Sequence, residues 1–487
     1  MPLQDYEIVV GLEVHAELST KTKIFCSCAN RFGADPNTLV CPVCLGLPGS
    51  LPVLNREVVV SAAKAGMALH CDIAPYSKFD RKQYFYPDLD KAYQVSQFYI
   101  PICGQGWLEA DVEEASGPVR KRFGVTRIHL EEDAGKLLHS GSAQIGGSES
   151  SLVDYNRAGV PLIEIVSEPD MRGPEDAEGY LAALKEILRY LGVSDCNMEE
   201  GSLRCDANIS VRKPGAPLGT RIEVKNMNSF KNVGKAILVE AARQVELIEG
   251  GGTVVMATRG WDADQGTTRA MRSKEEAHDY RYFPEPDLVP IVLDGAWLAA
   301  VRSSLPELPE AMRQRLIAAY ALPLYDAQVL TENAALAAYF EAVVASGANP
   351  KAASNWVMGE LLAALRRMDL EIGASPISPA ALAKMLGMMD KGVISGKIAK
   401  TVFEAMAGGG GDPEKIVESL GLVQVTDHSA IESFVQAAMA ANPTVVAEYR
   451  LGKEAVLGFM VGQVMKLSKG KANPALVNET LKNMLQA

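Results

Sequence analysis

The chain has 487 residues, 48% hydrophobic and 22% charged, with 48 Lys and Arg against 60 Asp and Glu for a net charge of −12. That length holds two to four domains with large cores, and the acidic balance excludes a polycation that wraps nucleic acid with its whole surface, so any RNA contact must come from local basic patches. The start M-P-L-Q-D-Y-E lacks the basic and apolar regions of a secretory signal, no apolar run approaches a membrane span, and the eight cysteines are too sparse for a disulfide scaffold, so a cytoplasmic protein with reduced thiols is expected.

In chain order, the first strand places Ile8, Val10, Leu12 and Val14 on one face and Glu7, Gly11, Glu13 and His15 on the other. Next come C-S-C (Cys26, Cys28) and C-P-V-C (Cys41, Cys44), separated by twelve residues. Two close thiolate pairs on short turns suit tetrahedral zinc, which predicts a structural zinc knuckle over 26–44 with no open catalytic position; four unrelated buried thiols are the plainer alternative. A redox role for the C-P-V-C pair lacks its βαβ context. A helix is predicted over Glu57–Leu69. The loop F-D-R-K-Q-Y-F-Y-P-D-L-D-K-A-Y-Q (Phe79–Gln94) mixes bases, aromatics and carboxylates, and reads equally as a base-stacking, phosphate-holding loop or as a tyrosine-rich rim.

From Arg127 to Asp170 the chain carries charge among strand-forming residues: Ile128 and Leu130 face one way, Arg127, His129, Glu131 and Asp133 the other. The same alternation recurs in L-R-C-D-A-N-I-S-V, where Arg204, Asp206, Asn208 and Ser210 share a face, and in R-I-E-V-K-N, where Arg221, Glu223 and Lys225 do. A solvated sheet face explains one such strand. Four of them point to a surface that gathers Mg²⁺ and phosphate oxygens, because hard cations take oxygen ligands and Mg²⁺ recruits one or two carboxylates plus substrate phosphates.

Gly141–Ser150 reads as a Gly/Ser loop. Amphipathic helices are predicted over Glu175–Leu191, started by Pro174 and stopped by Gly192, and over Asn232–Glu249. Helices alternating with charged-face strands make the first part an α+β domain on an antiparallel or mixed sheet. The three-residue-spaced carboxylates of the aromatic and charged loop Asp279–Asp287 can reach the same site. From about Ala296 alanine and leucine rise, with helices expected over Glu307–Ala321, Tyr325–Gly347, Ala352–Met368, Ser378–Met389 and Ser395–Gly408, a glycine linker over Gly408–Gly411, and a last helical unit. Its end carries Arg450, Lys453, Lys466, Lys469, Lys471 and Lys482 against Glu454 and Glu479, which is either an RNA-facing patch or a solvated helix face. No G-x-x-x-x-G-K-[ST], no G-x-G-x-x-G after a strand and no G-x-S-x-G occurs.

Nine segments, in order, carry a family resemblance: G-L-E-V-H (Gly11–His15), F-D-R-K-Q-Y-F-Y-P-D, H-L-E-E-D-A-G-K, P-L-I-E-I-V-S-E-P-D, G-S-L-R-C-D-A-N-I-S-V, K-N-M-N-S-F, D-Y-R-Y-F-P-E-P-D, W-V-M-G-E-L and K-G-K-A-N-P. The chain resembles, over essentially its whole length, the B subunits of the tRNA-dependent aspartyl/glutamyl-tRNA amidotransferases. The resemblance implies a heterotrimer with an amidase-type A subunit that releases ammonia from glutamine and a small C subunit. It implies an ATP-dependent ligase that phosphorylates the side-chain carboxyl of Glu-tRNA(Gln) or Asp-tRNA(Asn) and lets ammonia displace the phosphate.

The same resemblance implies a cradle domain over 1–293, an all-α domain over 294–410 and an all-α tRNA-binding tail over 411–487, the tail gripping tRNA through residues such as Lys466, Lys469 and Lys471. By motif match His15, Glu131 and Glu164 correspond to the principal Mg²⁺ site, while Glu13, Lys82, Asp206 and Glu223 lie around a second metal or the triphosphate and ammonia path. Lys82 is the natural phosphate partner, with Asp206 beside the nucleotide. Some members retain a zinc knuckle and others lack it, in keeping with a structural role for Cys26, Cys28, Cys41 and Cys44. Two competing readings remain: a metal-dependent nuclease or phosphatase that uses the same carboxylates on water, and a zinc-containing RNA-binding scaffold.

Overall fold

The computed structural model describes residues 2–140, 149–273, 278–422, 427–468 and 471–486. The chain divides into two compact units, Met1–Leu308 and Pro309–Ala487.

The first unit is α+β, as expected. Its strands are β1 (Glu7–Glu17), β2 (Tyr76–Ser77), β3 (Asp80–Gln83), β4 (Tyr93–Ser96), β5 (Gly106–Glu114), β6 (Gly117–Glu132), β7 (Lys136–His139), β8 (Ser151–Asp154), β9 (Pro161–Ser167), β10 (Leu203–Arg212), β11 (Ile222–Lys225), β12 (Ala257–Asp262), β13 (Thr267–Ser273), β14 (Phe283–Pro284) and β15 (Ile291–Val292). Its helices are α1 (Arg56–Ala68), α2 (Pro174–Tyr190), α3 (Phe230–Glu249) and α4 (Gly295–Ser303). Eight strands form one sheet in the order β13-β12-β11-β10-β1-β9-β6-β5, antiparallel except between β11 and β12. One face is apolar: Val10, Leu12, Val14, Ile128, Leu130, Ile163, Ile165, Ala207 and Ile209 are buried in a single core with Tyr180, Leu184, Val233 and Ile237 of α2 and α3. The two helices form because their apolar positions recur at helical spacing. Pro174 opens α2 and Gly192, at φ +64°, follows its end; the Ser229 side chain caps α3 by accepting from the Asn232 N–H.

The opposite face keeps the charged side chains of β1, β6, β9, β10 and β11. β9 lies between β1 and β6, so residues far apart in sequence share a rung: His15 pairs with Glu164, and Glu164 with His129. The first unit runs past the composition change near Ala296, because α4 packs Trp297, Leu298 and Val301 against Ala63 and Met67 of α1.

The second unit is helical: α5 (Pro309–Tyr320), α6 (Leu324–Leu330), α7 (Ala334–Ala345), α8 (Pro350–Trp356), α9 (Leu362–Met368), α10 (Pro379–Asp390), α11 (Gly396–Gly409), α12 (Pro413–Ser419), α13 (His428–Ala441), α14 (Pro443–Arg450), α15 (Leu457–Leu467) and α16 (Pro474–Gln486). The stretch expected as one helix from Tyr325 breaks at Thr331, and Asn333 caps the new helix through Ala335 N. The W-V-M-G-E-L segment winds as a π-helix over Val357–Leu361 between α8 and α9. Gly408 and Gly409 complete α11, so the glycine break falls on Gly410 and Gly411, at φ +67° and +124°. Two cores result: one spans Leu316 to Val417 around Phe340 and Phe403, the other Ile431 to Leu485 around Met460 and Val464. Among the described residues, no helix is long and apolar enough to cross a membrane.

Candidate functional site

The rung of β1, β9 and β6 brings His15, Glu164 and His129 side by side, and Glu131 joins them from the same face of β6. Nε2 of His15 lies 3.2 Å from Glu131 Oε1 and 3.2 Å from Glu164 Oε2, while Nε2 of His129 lies 3.1 Å from the same Glu164 oxygen. Burial disfavours the His15 imidazolium, yet the Glu164 charge and the hydrogen bonds of both carboxylates outweigh it and hold its pKa well above 6.5. Glu164 responds in kind: burial raises its pKa, but the two imidazoles hold it well below the carboxylate range. The group is not saturated. Among the described residues, Glu131 Oε2 and His129 Nδ1 are buried with no hydrogen-bond partner, the ion-pair contact of Glu131 Oε2 being with His129 Nε2 at 3.8 Å, and an unpaired buried polar atom carries a desolvation cost of about 1–3 kcal/mol. One ligand atom from each of His15, Glu131 and Glu164 lies within 4.8 Å of the others, so a cation of the hard, oxygen-seeking kind fits among them.

Two residues back along β1, Glu13 faces Asp206 across the β1–β10 ladder, and Asn208 of β10 faces Glu223 of β11. Glu13, Asp206 and Glu223 also place carboxylate oxygens within 4.8 Å of one another. Here a cation is built in: Lys225 Nζ bonds Asp206 and lies 3.6 Å from Glu223, Asn208 donates to Glu13 at 2.8 Å, and Thr258 donates to Glu223 at 2.7 Å. Burial disfavours the Lys225 ammonium, but the charges of Asp206 and Glu223 more than restore it.

Both groups open on one cavity of about 440 Å³, lined by His15, Glu131, Asp206 and Lys225 together with Lys82, Tyr84, Tyr86, Asp133, Arg157 and Arg204. Lys82 lies with Nζ 4.9 Å from the Tyr280 ring centre and 5.7 Å from that of Tyr84. Cation–π contact positions the ammonium, and among the described residues no carboxylate pairs with it. Arg204 and Arg157 meet on Asp133, the latter at 3.3 Å.

The four cysteines also converge, with their sulfurs all within 4.8 Å and Cys41 Sγ 3.8 Å from Cys44 Sγ. Zinc–sulfur bonds of about 2.3 Å in a tetrahedron set sulfurs about 3.8 Å apart, so the set fits zinc. A hydrogen bond from Cys26 pulls the Cys44 thiol down to about 4 against burial, with the Cys41 N–H and Lys23 assisting. Lys23 is fully buried, its Nζ 3.6 Å from Cys44 Sγ.

Other expected positions are used differently. In the Asp279–Asp287 loop, Glu285 and Asp287 do not reach the His15 cavity; they pair with Arg81, at 2.7 and 3.3 Å, and line a separate cavity of about 210 Å³ beside Cys26 and Cys44. In the tail, Lys466 is exposed and lines a groove with Lys397, Lys471 is half-buried, and Lys469 lies outside the described residues, as does most of the Gly141–Ser150 loop. Arg450 donates to the Leu485 carbonyl and Lys453 pairs with Glu448, so these two contribute to local structure. Sequence reasoning passed over His129, Arg157, Arg204 and Lys225. The period-two alternation already set His129, Arg204 and Lys225 on the charged face; strand order, which it does not encode, decides what they touch.

A family model described as the GatB/GatE catalytic domain matches residues 8–299, and a second, described as the GatB domain, matches residues 338–485. The chain is 56% identical over 484 residues to the B subunit of the aspartyl/glutamyl-tRNA(Asn/Gln) amidotransferase of Carboxydothermus hydrogenoformans, covering 99% of both chains. It is 55% identical over 481 residues to the protein of that name from Thermoanaerobacter pseudethanolicus, again covering 99% of both. Against the one from Geotalea daltonii it is 56% identical over 483 residues, covering 99% of this chain and 100% of the relative.

Proposed function

Since the chain belongs to the family of aspartyl/glutamyl-tRNA(Asn/Gln) amidotransferase B subunits, we propose that its charged sheet face carries out the ATP-dependent amidation of glutamate or aspartate esterified to tRNA(Gln) or tRNA(Asn). A carboxylate does not accept ammonia directly. One of its oxygens first attacks the terminal phosphorus of ATP, releasing ADP and leaving an acyl phosphate; ammonia then adds to the acyl carbon, inorganic phosphate departs with the electron pair of the broken C–O bond, and the nitrogen sheds a proton. Phosphoryl transfer asks mainly for positioning and charge neutralisation.

His15, Glu131 and Glu164 would hold Mg²⁺, which supplies Lewis-acid neutralisation of phosphate oxygens when bound. The observation that carries this assignment is the buried, unpartnered Glu131 Oε2 beside the His15–Glu164 contact. His129 Nε2 fixes the Glu164 carboxylate from the far side, a positioning role. Lys82, which among the described residues is held by ring faces rather than by a counter-ion, is the phosphate contact, with Asp206 at the nucleotide side of the cavity. For Glu13, Asp206 and Glu223, the ammonium of Lys225 already supplies the positive charge a second metal would bring. We therefore assign them to the ammonia path, where they accept the proton that the nitrogen sheds. The cysteines would hold a structural zinc; metal analysis should find one zinc per chain and none after Cys28→Ser, and equal zinc in both would remove the assignment.

Membership of a B-subunit family implies partner subunits and tRNA. The partners here would be an amidase A subunit delivering ammonia and a small C subunit, in the cytoplasm, with the tail meeting tRNA through Lys466, Lys469 and Lys471.

The test uses the assembled heterotrimer, Mg²⁺-ATP, free ammonium and tRNA charged with labelled glutamate, so that the amidase is bypassed. Wild type should form glutaminyl-tRNA and ADP, and Glu131→Ala should form neither, a loss of at least about 100-fold, while still binding tRNA. Normal turnover by the variant would move the reaction off this face. Cleaved tRNA without ADP would favour a nuclease.

A further inference from the structure

A lysine with none of its surface in water stands inside the knuckle of the four cysteines. Lys23 is 0% exposed, and its Nζ lies 3.6 Å from the Sγ of Cys44, itself 4% exposed. Among the described residues no carboxylate pairs with it. Fully buried lysines are rare, because an ammonium taken out of water needs an opposite charge beside it. A neutral thiol does not supply one; a thiolate held by a metal does. The backbone fixes the side chain from both ends of its residue. Lys23 N donates to Cys28 O at 3.0 Å, Ile24 N donates to Gly159 O at 2.9 Å, and the Lys23 carbonyl accepts from Asn55 Nδ2 at 3.4 Å. Gly159, at φ +79°, walls the chamber: a Cβ there would stand 3.4 Å from Cys44 Cβ and 3.7 Å from Lys23 Cδ.

The charge around the cysteines explains the lysine. In the zinc assignment, on which this inference rests, four thiolates around one Zn²⁺ leave two negative charges in excess. They face further acid, since Cys26 and Cys44 line the cavity of about 210 Å³ together with Glu132, Glu285 and Asp287. The other cations nearby are committed: Lys91 Nζ lies 2.7 Å from Glu132, and Arg81 Nε lies 2.7 Å from Glu285. Cys44 Sγ accepts from the Cys41 N–H at 3.2 Å and from the Lys23 ammonium. Groups that orient a metal ligand and balance its charge set how well the metal is held. We propose that Lys23 is the charge-compensating, positioning residue of the zinc site, its ammonium fixing the Cys44 thiolate and setting how tightly the knuckle retains its metal.

The experiment follows Co²⁺ in the full-length chain, because the thiolate-to-cobalt charge-transfer band reports the cysteine set and not the His15 group. Zinc affinity is read from displacement of that band, for wild type, Lys23→Met and Lys23→Gln. Lys23→Met, which keeps the apolar stem without its charge, should lose about 10- to 100-fold in zinc affinity, the range for removing a group that orients a metal ligand. Its band should move to longer wavelength, because the Cys44 sulfur loses the cation that holds its electrons. Lys23→Gln, which keeps an N–H donor, should fall between the Met variant and wild type. Thermal unfolding with and without metal separates charge from packing. Zinc should stabilise wild type more than Lys23→Met, while the zinc-free variant is no less stable than zinc-free wild type. Unchanged zinc affinity and band in Lys23→Met, or equal destabilisation of its loaded and zinc-free forms, would overturn the proposal, the second by reducing Lys23 to a packing residue. No charge-transfer band in wild type would instead sink the zinc assignment itself, so the two failures are distinct.

Discussion

Glu13 and His15 stand two residues apart on the same face of one strand, and each gathers two more acidic side chains from neighbouring strands. By composition the two groups look alike. They differ in what fills them. Around Glu13, the Lys225 ammonium, the Asn208 amide and the Thr258 hydroxyl meet the carboxylates, whereas beside His15 the Glu131 Oε2 and His129 Nδ1 atoms are buried with no hydrogen-bond partner. Such atoms also occur away from this site, at Tyr180 Oη and Trp261 Nε1 for example, so it is their coincidence with two carboxylates and an imidazole within ligand distance that marks the His15 group. An acidic cluster is thus not a metal site by virtue of being acidic; the unmet ligand atoms are what single out the His15 group for the proposed cation.

The comparison breaks most visibly at Lys225. Replacing it with Met leaves Asp206 and Glu223 without their ammonium and should lower ammonium-dependent amidation by at least about 100-fold, because the cavity loses the cation its carboxylates are built around. It should also create a metal site. Wild type without nucleotide should bind one Mn²⁺ per chain at this face and Lys225→Met two, as counted by electron paramagnetic resonance of the free ion. Two in wild type would mean that the Glu13 group already takes a metal, and the contrast would collapse.

A smaller effect tests the unsaturated side. His129→Ala removes the contact that fixes Glu164 and should weaken Mn²⁺ binding about 10- to 100-fold, the range for removing a group that orients a metal ligand. His129→Gln, which keeps a donor, should recover part of the loss. Unchanged Mn²⁺ affinity in His129→Ala would leave the second imidazole without a role in the site.

These two groups also mark how far the sequence could be read. Alternation at period two put His15 and Glu131 on the charged faces of their strands, and the cysteine spacing predicted that four sulfurs meet, because both signals are local; Glu164 entered only through the family resemblance. The rung His15–Glu164–His129 is not local: β9 (Pro161–Ser167) follows β6 in the chain yet enters between it and β1 (Glu7–Glu17), and no short-range pattern encodes that insertion. Lys225 was read onto the charged face but given no partner for the same reason, since only the β10–β11 pairing sets it against Asp206. In the helical unit, apolar periodicity carried Tyr325–Gly347 as one helix across Thr331. The cap that restarts the chain at Asn333 is a three-residue signal beneath a longer apolar pattern.

The mildest prediction concerns a saturated carboxylate far from any reaction. Asp326 of α6 is buried and accepts from Lys351 Nζ at 2.5 Å and from the Ser354 hydroxyl. Burial raises its pKa, but the Lys351 and Ser354 hydrogen bonds more than offset this and hold it below 3.8. A carboxyl whose folded pKa is depressed contributes stability that is fully present above its unfolded pKa and is lost as pH falls through the folded one. Asp326→Asn should therefore destabilise the second unit at pH 7 by about 1.5 kcal/mol, near the low end for a hydrogen bond to a charged group, because Lys351 is half exposed. The gap should close below about pH 4, as calorimetry across pH would register. Mn²⁺ binding at the His15 face should not change. A loss of metal binding from this substitution would show that a satisfied cluster is doing more than holding helices, and a gap that persists at pH 2 would assign the stabilisation to packing rather than to charge.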